Sequence, residues 1–181
     1  MIELWQLYDE QGRALEGQGA TKDAVFKGLL HGASHVWIWR NTNNGIELLL
    51  QKRAAHKRTW PNLLDISAAG HIALGEEPLF AAIRETKEEI GLDVTAADFK
   101  LIAVDRHNIV ASGGEIENEF CWVYLLQLKS SNNFTLQKSE VSSLEWVKFA
   151  KFKKNTLNDT QNKYVPHGPK YYITVISAID T

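Results

Sequence analysis

The sequence predicts an α/β (α+β) sandwich built on a mixed β-sheet, and three observations carry that reading. Several short strand-like runs alternate with few helical ones. One segment between a proline and a glycine has a clear 3.6-residue periodicity, and 181 residues suffice for one well-filled core. The expected organisation is a single domain over residues 1–181, with an N-terminal β-hairpin extension over 1–30, a core over 31–150 and a C-terminal extension over 151–181.

Taken in order, "IELWQLYDEQGRAL" alternates apolar and polar residues on either side of residues 9–12, the pattern of a hairpin. "DAVFKGLLHG" has room for one or two helical turns. "ASHVWIWR" and "IELLLQKR" read as strands paired across the loop "NTNNG". After the short apolar run "LLDISAAGHI", Pro78 opens a helix that Gly91 closes. "KLIAVDRHNIV" and "EFCWVYLLQL" are strands around a polar turn at residues 112–115, and "SLEWVKFA" is a further strand. The lysine-rich "KFKKNTLNDTQNK" reads as a solvated connection. In "PKYYITVISAID" the β-branched residues favour a strand, but Tyr172, Val175, Ile176 and Ile179 recur at helical spacing, so a closing helix is expected.

Composition narrows the function classes. A chain 44% hydrophobic and 23% charged is not extensively disordered, and a net charge of -2 argues against a dedicated binder of nucleic-acid polymers. There is no apolar run long enough for a bilayer and no cationic start followed by an apolar stretch, so neither a membrane partner nor a signal peptide is expected, and the location expected is cytoplasmic. The one cysteine, Cys121, lies in "FCWVYLLQL" and is expected to fill core. A homodimer is compatible with all of this.

The chemistry is concentrated in "SAAGHIALGEEPLFAAIRETKEEIGL". On a helix over residues 78–90, Leu79, Ile83, Thr86 and Ile90 form a core-facing stripe, while Glu85, Glu88 and Glu89 lie together on another face. Like charges at that spacing repel, and the last helical turn disfavours anions. A divalent cation would reverse both penalties, because clustered carboxylate oxygens are what Mg²⁺ or Mn²⁺ binds. Read on its own, the cluster fits a solvated acidic face and a metal site about equally.

The wider spacing decides between them. Gly70, Glu76, Arg84, Glu85, Glu88, Glu89, Gly91 and Leu92 stand at the positions of the Nudix box, here residues 70–92, with Thr86 the one departure, where the pattern prefers an aliphatic residue. The chain therefore resembles the Nudix hydrolase superfamily. The resemblance implies an α/β/α sandwich, Mg²⁺ (or Mn²⁺) held by Glu85, Glu88 and Glu89 with Gly70 at the metal, and a Glu76–Arg84 pair that holds the box loop against its helix.

Outside the box, "KRAAHKRTWPNLLDISAAGH" and "EIENEFCW" look like the flanks of the box in type 1 isopentenyl diphosphate isomerase, a Nudix-fold branch. That likeness makes His31, His71, Glu117 and Glu119 candidate metal ligands, Glu119 also a candidate general base, and Arg53 and Lys57 candidate diphosphate-binding residues. Each has a plainer reading: hydrogen-bonded core histidines, an exposed acidic turn, a solvated basic loop. Ala24 stands where a further metal ligand is expected, so that ligand set is incomplete. The departure that counts against isomerisation is Ala69, which stands where the isomerases carry their acid/base cysteine; a methyl group cannot exchange a proton. With the box carboxylates complete, the expected activity is hydrolysis of a small-molecule diphosphate with Glu85, Glu88 and Glu119 catalytic. The alternatives are an isomerase-like activity and a catalytically silent metabolite-binding sensor.

Overall fold

Strand β3 (His31–Thr42) organises the molecule; its first eight residues are all buried, as expected of a strand covered on both faces. The computed structural model describes residues 3–111, 113–129, 133–157 and 162–180. On one side β3 pairs in parallel with β8 (Ile116–Gln127), which pairs antiparallel with β7 (Phe99–Val110). On its other side β3 is shared. Residues 33–36 pair with β6 (Ala68–His71) and residues 38–42 with β4 (Gly45–Arg53), both antiparallel. The sheet is thus split beside the middle of β3. Strands β5 (Leu64–Asp65) and β9 (Val141–Lys148) add to β4.

The N-terminal hairpin forms as the alternation predicts, from β1 (Trp5–Tyr8) and β2 (Ala14–Ala20), followed by the single turn α1 (Lys22–Val25). It does not stand apart from the core. Leu7 pairs with His31, Gln6 N–H donates to Ile72 O at 2.9 Å and Leu74 N–H to Leu4 O at 2.9 Å, so β1 is wedged between β3 and the box loop.

Side chains alternate across β3. Val36 and Ile38 face helix α2 (Pro78–Ile90) with Ala82, Ile90 and Leu126. Trp37 faces α3 (Phe149–Thr156) and α4 (Pro169–Ile179) with Leu48, Leu50, Phe152, Tyr171 and Val175. The result is the α/β/α sandwich with a mixed sheet that the resemblance implies.

Helix α2 begins at Pro78 and ends on Gly91, whose φ of 73° is the left-handed cap that glycine adopts without strain. Its buried face is rotated from the expected stripe: Ala81, Ala82, Thr86, Glu89 and Ile90 are buried, Leu79 and Ile83 only half-buried, and Phe80 is exposed. The two alanines let the helix approach the sheet closely, and this turns Glu89 inward. Thr86 is accommodated because its hydroxyl donates to Ala82 O at 2.7 Å.

One expectation is overturned. The first part of the lysine-rich "connection" is helix α3, because Phe149, Phe152 and Thr156 fall on one buried face while Lys151 and Lys154 point outward. Its continuation at residues 158–161, like Ser112 of the expected turn, lies outside the described residues. Helix α4 forms as expected, burying Tyr172, Val175, Ile176 and Ile179 together with Tyr171.

Candidate active site

The split in the sheet is where the box carboxylates reach the interior. Glu89, 4% exposed, accepts hydrogen bonds from Ala69 N–H of β6 at 3.0 Å and from the Gln51 amide of β4 at 3.4 Å, one strand on each side of the gap. Gly70 makes room for Glu85: a Cβ there would lie 2.0 Å from Glu85 Cδ. Arg84 ties the segment together. Its guanidinium donates to both oxygens of Glu76 at 2.9 and 2.8 Å and to His71 O at 3.0 Å, the loop-to-helix pairing that the box resemblance implies. The same group reaches Glu85 at 2.5 Å and Glu88 at 3.2 Å, so one cation already lies between two box carboxylates.

Ala69, Gly70, Arg84, Glu85, Glu88 and Glu89 edge a cavity of about 260 Å³ that also receives Arg53, Lys57, Glu117, Glu119, His35, His71 and His167. Burial pushes Glu89 up to about 8, only partly offset by the Ala69 N–H; burial and the neighbouring Glu117 push Glu119 up to about 8, and burial raises Glu85 as well. Ionising all of them in this space requires added positive charge.

Among the described residues, two sets of ligand atoms converge to within 4.8 Å: His31, His71 and Glu119, and His35, Glu119 and Cys121. The three box glutamates do not form such a set here, and Glu117 belongs to neither; its carboxylate accepts from the Trp60 indole at 3.2 Å instead.

Hydrogen-bond inventory separates the two sets. His31 is fully buried and its Nδ1 lies 2.9 Å from Leu29 O, so Nδ1 carries the proton. Nε2 is then a bare lone pair with no hydrogen-bond partner, 3.6 Å from Glu119 Oε2, while His71 Nε2 lies 3.9 Å from the same oxygen. A histidine that donates one nitrogen to a backbone carbonyl and presents the other is disposed as a metal ligand. Burial lowers the basicity of both imidazoles, keeping them in the neutral form that ligates.

His35 differs. Trp37 Nε1–H donates to Tyr171 Oη at 3.0 Å, and Tyr171 Oη in turn lies 2.9 Å from His35 Nδ1, the one acceptor among its described partners. The phenol proton therefore goes to His35 Nδ1, and His35 holds its own proton on Nε2. Cys121 is fully buried and its thiol is pushed well up by burial and by Glu119, so it is core, as expected. The second set is a hydrogen-bonded cluster.

The two expected phosphate-binding residues both reach the cavity but are engaged within the protein. Arg53 donates to Asp65 at 2.9 Å and to Thr59 O at 3.0 and 3.3 Å; Lys57 pairs with Glu140. Asp65 also meets His167 Nε2 at 2.7 Å; burial alone would raise its carboxyl, but His167 and Arg53 override that and hold it far below the usual range. Sequence reasoning passed over Asp65, a lone carboxylate inside an apolar run and so a detectable signal. It also passed over Trp5, His35 and His167, which come to the cavity from distant elements with no local signature.

Residues 30–168 match the family model described as the NUDIX domain. The chain belongs to the Nudix family. Nudix hydrolase 3 of Arabidopsis thaliana is 40% identical over 141 residues, which are 76% of this Nudix chain but 18% of that protein. The isopentenyl-diphosphate Delta-isomerase of Citrobacter koseri is 34% identical over 149 residues, 77% of this chain and 74% of the isomerase. The chain is thus similar both to Nudix hydrolases and to the isomerase branch of the fold. Among solved structures, DR0079 from Deinococcus radiodurans superposes with a TM-score of 0.70 over 96% of this chain and 98% of that one, at 18% identity, a likeness of fold alone. No helix among the described residues is long and apolar enough to cross a membrane.

Proposed function

We propose that this Nudix chain is a pyrophosphohydrolase that uses Mg²⁺ (or Mn²⁺) to cleave a diphosphate linkage in a small organic molecule. The observation that carries the reading is Ala69. At the position of the isomerase acid/base cysteine it offers a methyl group, and its backbone N–H is committed to Glu89, a box carboxylate at the same cavity.

Glu85, Glu88 and Glu89 would hold the cation, exchanging the contacts that Arg84 and Ala69 N–H now make. A divalent ion bound there neutralises diphosphate oxygens and activates water. Glu119 turns Oε2 towards His31 and His71, which with it form a second ligand set, and once ionised it would be the base that takes a proton from the attacking water. Arg53 and Lys57 line the cavity for the distal phosphate, Lys57 by exchanging Glu140 for it. Buried carboxylates with raised pKa values support a site completed by cations.

The test is Mg²⁺-dependent phosphate release by the full chain over nucleoside diphosphate derivatives, sugar nucleotides and prenyl diphosphates, beside an isopentenyl diphosphate isomerisation assay. Hydrolysis that falls by about 100-fold or more in Glu88→Gln is expected. Isomerisation without hydrolysis would overturn the proposal in favour of the reading that the isomerase relatives suggest.

A further inference from the structure

The His31–His71–Glu119 set has an aromatic cover that comes from outside the box. Trp5 of β1 lies flat on His71, with ring centroids 3.5 Å apart and planes within 6°, and its ring is 5.8 Å from His31 at 24°. Phe26 meets Trp5 edge-on at 6.0 Å and His71 edge-on at 6.4 Å. Trp5, Ala20, Val25 and Phe26 form one small buried cluster with Ala24 packed against it. Apolar side chains therefore pack against the two imidazoles on this side, while the Nε2 atoms of both lie 3.6 and 3.9 Å from Glu119 Oε2.

An imidazole that is free to turn about its Cβ–Cγ bond presents either ring nitrogen, or neither, to a neighbour. His31 is fixed by Leu29 O. His71 is 27% exposed at its side chain, and among the described residues its ring makes no such hydrogen bond; what restrains its plane is the Trp5 face. Trp5 itself is 5% exposed and is held by the hydrogen bonds that wedge β1 between β3 and the box loop, to which Gly75 N–H adds one to the Gln6 amide oxygen at 3.0 Å.

We infer that Trp5 is a positioning residue for a cation at His31, His71 and Glu119, and that docking of the N-terminal hairpin and binding of that cation reinforce each other. The inference rests on the proposed reading of those three residues as a ligand set. Two imidazoles and one carboxylate suit borderline ions such as Zn²⁺, Co²⁺ or Mn²⁺ more than Mg²⁺. If the hairpin orients His71, any ion that selects the oriented ring must stabilise the docked hairpin by the same factor.

Co²⁺ is the probe, added to the full chain with Mg²⁺ in excess, and binding is read by equilibrium dialysis, visible absorption and tryptophan fluorescence. In Trp5→Leu the Co²⁺ affinity is expected to fall about 10- to 100-fold, the range seen when a residue that orients a ligand is lost. Trp5→Phe, which keeps a ring over His71, should bind within a few-fold of the parent and show less quenching. In the parent chain Co²⁺ should slow hydrogen exchange of the β1–β2 amides, and in His71→Ala it should not. This last readout needs no Trp5 variant to fold. Unchanged Co²⁺ affinity in folded Trp5→Leu, or β1–β2 exchange indifferent to Co²⁺, would overturn the positioning role and leave the ligand set standing. Absence of any His71-dependent Co²⁺ binding would overturn the ligand set, and the inference with it.

Discussion

Gly70 and Glu85 touch so closely that no side chain fits between them: a Cβ on Gly70 would sit 2.0 Å from Glu85 Cδ and 2.1 Å from Oε1. The glycine is required here for space. Gly70→Ala should therefore push the Glu85 carboxylate out of the cavity. A displacement of about 1 Å at a catalytic group costs on the order of 100-fold, so kcat/KM for the diphosphate substrate is expected to fall at least that far while circular dichroism stays that of the parent. Retention of activity would mean that Glu85 does not work from the position seen.

Arg84 donates to Glu76, Glu85, Glu88 and His71 O from one planar group, an arrangement that a lysine ammonium cannot reproduce. Arg84→Lys is expected to lose about 1–2 kcal/mol in chemical denaturation, a modest figure because the side chain is 29% exposed. Activity should fall with it, since the box loop loses its tether to the helix. An unchanged denaturation midpoint would show the network to be dispensable.

Tyr171 serves two buried partners at once, accepting from Trp37 Nε1–H and donating to His35 Nδ1. In Tyr171→Phe both are left unsatisfied in a region where Trp37 is 1% and His35 4% exposed. The expected cost is about 2–4 kcal/mol, read as a lowered midpoint of unfolding. A neutral substitution would mean that other groups satisfy these nitrogens.

What could be read in the sequence was what depends on local spacing. The hairpin, the paired strands, helix α2 with its glycine cap and the closing helix α4 follow from alternation, turn residues and 3.6-residue periodicity. The box residues are legible for the same reason, because all eight fall at fixed spacing within residues 70–92. Helix α3 was hidden, since its lysines outnumber the phenylalanines that fix its inner face. The register of α2 was hidden too: burial of Glu89 depends on two small alanines and on a gap between β4 and β6, and neither is visible along one segment. Arg53 illustrates the same limit. Its place at the cavity fits the isomerase likeness, but its engagement by Asp65 and Thr59 emerges only when β4 and β5 pair.

The last prediction concerns metal removal and pH. Glu89 and Glu119 are pushed up to about 8 by burial, so in the metal-free protein each holds its proton at pH values where the unfolded chain has released it. The folded state then binds more protons than the unfolded one from about pH 4.5 upwards, and this contribution to stability is lost as pH rises through about 8. His31, His71, His35 and His107 work in the opposite sense: burial lowers their basicity, so folding is penalised as pH falls below the unfolded histidine value of about 6.5. Below that value the two slopes oppose each other; between about pH 6.5 and 8 only the carboxylate slope remains. Tm of the chain in EDTA should therefore decline from pH 6.5 to pH 9. Saturating Mg²⁺ should flatten the decline, because a cation favours the ionised carboxylates, and Glu89→Gln should reduce it even in EDTA. A metal-free Tm that rises across this range would show that these carboxylates are already ionised without a cation, and the case for a metal-completed site would lose its electrostatic basis.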